Sequence, residues 1–410
     1  MKITHATCTA LNIPFYCKRV TAAMHRANTH GERIYLYRVE TDNGLVGYGD
    51  SEHGDAVDSL VGKNPYAILH DDRIGYGAQL AVLDVAGKDA GVPAHALIGT
   101  KLRGRCPISW WDIDMSPADW AAEARESIKR GYTCFKTKAR PWRDIFAQVE
   151  AVGRAVPADY KLDVDFNGHL RNAANAEIVL SELDDHPNVG IYESPFYLRD
   201  DLEGARILRS RTRKLVVDHF NNDVLHAHAS DGFVISGGIS VIREQGTLAA
   251  EFNKPFWLQL VGTGITTAFA AHIGSVLSHA QLPHITCSEL WAHDLLKKKI
   301  PVTDGYMPVP DRPGLGIEVD EKAIAKFAVD AGEPTPKQRY SGRKRILRII
   351  WPGAQKKPRV WEFTNEEAYQ ELSFSGGLPG FQRGITLEVE EDDGTKAFRK
   401  HHRRLADRGL

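Results

Sequence analysis

From Arg105 onward the chain repeats one pattern, and that repetition restricts its fold more than any other feature. Short apolar or β-branched runs alternate with amphipathic stretches: PISWWDI, a helix expected over 117–130, YTCFKTK, a helix over 142–155, KLDVDFN, a helix over 173–184, GIYESPF and KLVVDHF. Strands regularly separated by helices imply βαβ units and a parallel sheet. Further strands are expected at GFVIS, PFWLQL and PHITCSE, which brings the count near the eight that close a barrel. An open doubly wound sheet is the rival arrangement, but no G-x-G-x-x-G stands at the first βα turn to support it.

The first hundred residues read differently. RIYLYRVET (33–41) alternates apolar and polar residues, Asp42-Asn43-Gly44 supplies a hairpin turn, and LVGYGDS returns, so an antiparallel sheet is expected. From Gly75 to Leu97 the pattern is helical, with Leu80, Val82, Leu83, Val85 and Ala86 giving an apolar stripe that ends at Gly91-Val92-Pro93. The expected organisation is an α+β cap over 1–104, a barrel over 105–300, a return segment over 301–330, and a C-terminal extension over 331–410. The extension holds 16 Lys/Arg against 11 Asp/Glu, yet its apolar runs ILRIIW and RVWEF argue that it packs on the barrel or on a partner subunit.

With 52 basic and 53 acidic side chains among 410 residues, nothing calls for nucleic acid or a membrane surface as partner. No run approaches the ~18 apolar residues of a membrane span, and the N-terminus lacks the apolar core of an export signal. Five scattered cysteines without a C-x-x-C argue against a disulfide framework or a thiolate zinc site. A cytoplasmic protein is expected.

The chemistry concentrates where strands finish. Asp165 in KLDVDFN, Glu193 in IYESPF and Asp218 in LVVDHF each follow apolar strand residues, and the C-terminal ends of barrel strands are where active sites form. Singly, each acid reads as a helix cap or an ion-pair partner. Three on successive strands instead suggest oxygen ligands for one hard cation, Mg²⁺ or Mn²⁺. One strand earlier, Lys136 and Lys138 are two apart and so share a face, and burying both is costly unless anions await them. Lys138, nearer the strand end, suits a base because its cationic neighbour and the metal lower its pKa. Two solvated lysines on an edge strand are the plainer alternative.

Lys136-Thr-Lys138, Asp165-Phe-Asn167, Glu193-Ser-Pro195, Asp218 and Gly237-Gly238 together resemble, in order and spacing, the enolase superfamily, above all its mandelate racemase and muconate-lactonizing branches. The likeness covers roughly residues 1–330. It implies an α/β fold: a modified (β/α)7β barrel of TIM type under an α+β cap. It also implies Mg²⁺ on Asp165, Glu193 and Asp218, Lys138 as base, and Lys136 neutralising the developing enolate, with Asn167 beside the substrate.

Two features depart from the family pattern. The strand before Gly237-Gly238 carries no lysine; Ser236 occupies that approximate place, and the later strand offers Gln259 and Thr263 but no histidine. His219 stands where the family often has glutamate, and is a candidate proton donor or substrate contact. His272, in an apolar helical run, reads as a satisfied structural residue, and His226-Ala-His228 as surface. The loop over 16–32 is the expected lid, from which Lys18, Arg19, His25 or Arg26 would meet an anionic substrate.

The expected activity is α-proton abstraction from a small carboxylate substrate by an isomerase: racemase, epimerase or cycloisomerase. An acid-sugar or hydroxy-acid dehydratase is the nearest alternative, and a noncatalytic metal- or ligand-binding protein the alternative of another class. A homo-oligomer is expected from the prevalence of symmetric assemblies.

Overall fold

Alternation in the N-terminal segments becomes a three-stranded antiparallel sheet in the computed structural model, which describes all residues except 28, 354–356 and 379. Strand β1 (Ile3–Asn12) is followed by helix α1 (Lys18–Arg26), then β2 (Arg33–Thr41) and β3 (Val46–Ser51), in sheet order β1-β2-β3. Short α2 (Pro65–Ile68) precedes α3 (Tyr76–Ala90), which lies directly on β3. Glycine makes that approach possible: a Cβ on Gly47 or Gly49 would stand 2.1 or 2.0 Å from the carbonyl oxygen of Ala81 or Gly77. As the Gly91-Val92-Pro93 stop predicts, α3 ends at Ala90, where Gly91 turns left-handed (φ 68°) and closes it; Ala94–Leu97 forms a separate 3₁₀ turn.

After β4 (Arg105–Pro107) the chain alternates as its pattern requires. Strands β5 (Trp110–Trp111), β6 (Cys134–Lys138), β7 (Lys161–Asp165), β8 (Val189–Glu193), β9 (Leu215–His219), β10 (Gly232–Ile235) and β11 (Phe256–Leu258) are neighbours in chain order, all parallel. Between and after them come α4 (Pro117–Lys129), α5 (Ile145–Gly153), α6 (Ala173–Leu183), α7 (Leu202–Arg211), α8 (Asn222–His226), α9 (Ile239–Glu251) and α10 (Gly264–Val276). The segment 284–286 closes the ring. Its Ile285 N–H donates to Leu258 O (2.8 Å) on one side, and His284 O accepts from Ser109 N–H (2.9 Å) on the other. Seven strand–helix units and this last short strand make the (β/α)7β barrel. Strand β12 (Tyr306–Pro308) then pairs with β4, and α11 (Glu321–Phe327) returns to the first sheet.

The remaining residues fold rather than trail. Helix α12 (Pro336–Ser341) leads to β13 (Arg345–Trp351), β14 (Arg359–Phe363), α13 (Glu366–Phe374), β15 (Thr386–Glu391) and α14 (Lys396–Ala406), with an antiparallel sheet ordered β14-β13-β15. Alternation along β13 sorts its faces. Leu347, Ile349 and Trp351 join Phe363 and Tyr369 around Trp142, which comes from the loop after β6, while Ile346 packs beneath Phe398 and Leu405 of α14. The segment therefore packs on its own barrel, using a barrel tryptophan as part of its core.

Candidate active site

Parallel register sets the site. Lys138 lies opposite Asp165, Asp165 opposite Glu193, and Glu193 opposite Val217, one residue before Asp218, so four neighbouring strand ends deliver their polar groups at one level. All are buried: Lys136, Asp165 and Glu193 expose 1% or less, Asp218 8% and Lys138 9%. The chain then turns sharply after two of the acids, with Asn167 and Ser194 both in left-handed conformation (φ 44° and 43°). These turns aim side chains backward. Asn167 donates from its N–H (2.8 Å) and its amide (3.2 Å) to the two Asp165 oxygens, and Ser194 Oγ donates to Asp218 Oδ1 at 2.6 Å.

The two lysines meet the anions their burial demands. Lys138 Nζ lies 2.5 Å from Asp165 Oδ2; Lys136 Nζ lies 3.0 Å from the same oxygen, 2.9 Å from Glu193 Oε2 and 3.0 Å from Gln259 Oε1 across the barrel. Burial works against the charge of Lys136, but Glu193 and Asp165 outweigh it and raise its pKa. For Lys138 burial prevails over Asp165, and Lys136 adds to it, so its pKa falls. Burial would also raise that of Asp165, yet the two ammonium groups hold it well below the carboxylate range. Glu193 goes the other way: burial and the neighbouring Asp165 push it up to about 8, and neither of its oxygens receives an aligned hydrogen bond.

The fit to a divalent cation is one of donor chemistry. Three carboxylates on adjacent strands are the hard oxygen set that Mg²⁺ takes, and Glu193, buried with its oxygens poorly satisfied, is a carboxylate that a dication would stabilise. In the conformation seen, Lys136 stands between Asp165 and Glu193, and Asp218 is held by Ser194 and by the Leu198 N–H (3.2 Å). Among the described residues no three His, Cys, Asp or Glu side chains are gathered closely enough to hold an ion.

The other expected residues divide. His219 is half exposed, with Nε2 3.6 Å from Glu193 Oε1, and with Asn167, Ser194 and Asp218 it lines an open cavity of about 480 Å³. Ser236 is exposed at the end of β10. The lid side chains are engaged elsewhere, apart from exposed Lys18. Arg19 pairs with Glu123, His25 with Glu32, and Arg26 is buried between Asp114 (2.9 Å) and Glu366, so its guanidinium is not free to meet a substrate. His226 and His228 are exposed, and residue 28 of the lid lies outside the described residues.

One acid of the same kind escaped notice in the sequence. Glu289 follows the closing strand, much as Glu193 ends β8, and burial raises its pKa to about 7. Its Oε1 accepts from Trp111 N–H at 2.6 Å, while Oε2 has no partner. Its position at a strand end in PHITCSE was the available signal.

Comparison with known proteins settles the kinship. The family model described as enolase C-terminal domain-like matches residues 119–323, half of the chain. The chain belongs to the enolase superfamily. As a member of the enolase superfamily it is an enzyme, an isomerase or a lyase. It is 26% identical to the N-succinyl-L-Arg/Lys racemase of Bacillus cereus over 72% of this chain and 90% of the relative. Muconate cycloisomerase 1-1 of Acinetobacter lwoffii is 25% identical over 74% of this chain and 91% of its own length. The D-xylonate dehydratase of Haloferax volcanii is 26% identical over 72% and 85% respectively. The crystal structure of the Bacillus cereus N-succinyl Arg/Lys racemase superposes with a TM-score of 0.67 at 22% identity, covering 80% of this chain and 99% of that one. No described helix is long and apolar enough to cross a membrane.

Proposed function

We propose that this enzyme removes the α-proton of a small carboxylate substrate through an enediolate, with Lys138 as base, and returns a proton as an isomerase of the racemase, epimerase or cycloisomerase kind. The carrying observation is Lys138 itself: a buried amine at a strand end whose surroundings lower its pKa, two residues from a second buried ammonium. In its neutral form the Lys138 nitrogen accepts the proton. Lys136 stays charged, and its ammonium opposes the negative charge that grows as the proton leaves, a contribution made in the transition state. Asn167 fixes the Asp165 carboxylate, so the base and its partner keep one geometry. A bound Mg²⁺ or Mn²⁺, held by Asp165, Glu193 and Asp218, would add a positive charge beside the substrate carboxylate.

A dehydratase reading is favoured by one observation. His219 stands on the open side of the carboxylates, at the cavity rim, where an imidazolium would protonate a departing hydroxyl while Lys138 holds the α-proton. In that reading Ser236 positions substrate rather than transferring protons. Assembly as a homo-oligomer and the division of the chain at 104, 300 and 330 belong to the same proposal.

The test is exchange in deuterated water with Mg²⁺, across N-acyl amino acids, hydroxy acids and cyclic acids. Deuterium entering unchanged or inverted substrate marks an isomerase; loss of water marks a lyase. Lys138→Ala should lower either activity by about 10²–10⁴-fold, the usual worth of a general base. Undiminished turnover in that variant would leave a noncatalytic binding site as the better account.

A further inference from the structure

A second cavity, of about 390 Å³, opens between the end of α1 and the C-terminal sheet, away from the strand-end carboxylates. Its walls bring Lys337, Arg343, Lys344 and Arg345 together, with Arg26 and the first turn of α13 completing it. Two acids, Glu366 and Glu367, also line it, but Glu366 is already taken by Arg26. Among the described residues no carboxylate lies within ion-pair distance of Arg343, Lys344 or Arg345, in a protein whose charges otherwise balance.

Arg345 gives the cavity its direction. It is only 8% exposed; Nη2 donates to Arg26 O at 3.3 Å and the guanidinium carbon lies 5.0 Å from the centre of the Tyr340 ring, but Nη1 has no hydrogen-bond partner. A buried guanidinium nitrogen left without an acceptor is costly, and a guanidinium fork is shaped for the paired oxygens of an oxyanion. Lys337 is fixed at the same wall by the carbonyl of His30, 2.8 Å away, so the positive groups are held in place from both the lid and the C-terminal segment. The volume falls within the roughly 300–1,000 Å³ usual for small-molecule pockets, more than a bare ion fills.

We propose that this cavity binds a phosphate group, that of a small phosphate monoester or free phosphate, between the lid and the C-terminal segment. The anion would accept from Arg345 Nη1 and sit against Arg343 and Lys344. Because Arg26 and Ala27 of the lid line it together with Lys337 of the segment, which holds the carbonyls of Thr29 and His30, its occupancy would tie the lid to the segment.

Calorimetric titration of the full chain with inorganic phosphate and with glycerol 3-phosphate, against chloride and succinate at matched ionic strength, tests this. Saturable binding of either phosphate is expected, weakened at least tenfold in the Arg343→Ser/Lys344→Ser double variant, whose two positions are exposed and so leave the fold intact. Arg345→Gln should weaken it further. Preference for glycerol 3-phosphate marks an organic ligand; equal affinity marks the free ion. Hydrogen exchange should slow at residues 26–27 and 335–345 with ligand bound. Binding no stronger than chloride or succinate, binding unchanged in the double variant, or protection confined to other residues would overturn the proposal.

Discussion

A neutral imidazole sealed inside a helix makes a measurable demand on pH. His272 in α10 is fully buried; Nε2 lies 3.1 Å from Leu315 O and Nδ1 accepts from the His95 backbone nitrogen at 3.3 Å, so one ring nitrogen donates, the other accepts, and a second ring proton is not accommodated. Burial lowers its pKa to about 4, only partly opposed by the Leu315 carbonyl. Below the ordinary value near 6.5 the unfolded chain takes up a proton that the folded one refuses. Its contribution is therefore present above pH 6.5 and is lost as pH falls toward 4. In urea unfolding, the stability advantage of the wild type over His272→Gln should shrink by about 1.4 kcal/mol per pH unit across that window; an advantage independent of pH would mean that His272 takes up its proton as readily in the fold as in the unfolded chain. That His272 is structural could be read from its apolar surroundings, and so could the strand-end acids and lysines, since alternation and chain order determine where they emerge. What could not be read is rotamer and partner. Asp218 faces Ser194 because the chain turns left-handed there, and Arg26 is held by Glu366, 340 residues away.

At the scale of elements, the loop between β6 and α5 carries more than a connection. Trp142 exposes 2% of its surface, sends Nε1 to Asp114 Oδ2 at 3.0 Å, and fills the core formed by Leu347, Ile349, Trp351, Phe363 and Tyr369. Truncating such a side chain removes buried apolar contact and leaves a cavity, a loss of about 3–5 kcal/mol. Trp142→Ala should lower unfolding free energy by that order in denaturant titration, with amide exchange accelerating first in β13, β14 and β15. Acceleration spread evenly through the barrel would show that the tryptophan serves the barrel rather than the segment. The barrel strands were legible because each unit repeats a local pattern. The C-terminal sheet was not: ILRIIW and RVWEF announce apolar faces, but their use of Trp142 depends on contacts across about two hundred residues, for which short-range periodicity holds no record.

For the molecule as a whole, the C-terminal segment and the lid form one mechanical unit. Lys337 bonds the carbonyls of Thr29 and His30, Glu366 takes Arg26, and Arg26 in turn reaches Asp114 at the barrel mouth. Asp114 also receives Trp142 and Arg143; burial alone would raise its pKa, but Arg26 and Arg143 hold it at about 2, so this junction stays charged through the working range of the enzyme. Ending the chain after residue 330 would remove Lys337 and Glu366 and uncover Trp142, together with the His169 ring that now stacks on Phe374 at 4.7 Å. The barrel retains its own large core, so the expected product is folded but altered: faster amide exchange over residues 17–32, increased binding of an apolar dye, and a lower Tm. The lid measurement decides between two roles for the segment. If it only covers apolar surface, dye binding rises while exchange over 17–32 stays as in the full chain; if it clamps the lid, both change, and removing the Arg26 ion pair alone through Glu366→Gln in the full chain should reproduce part of the lid loosening without the dye signal.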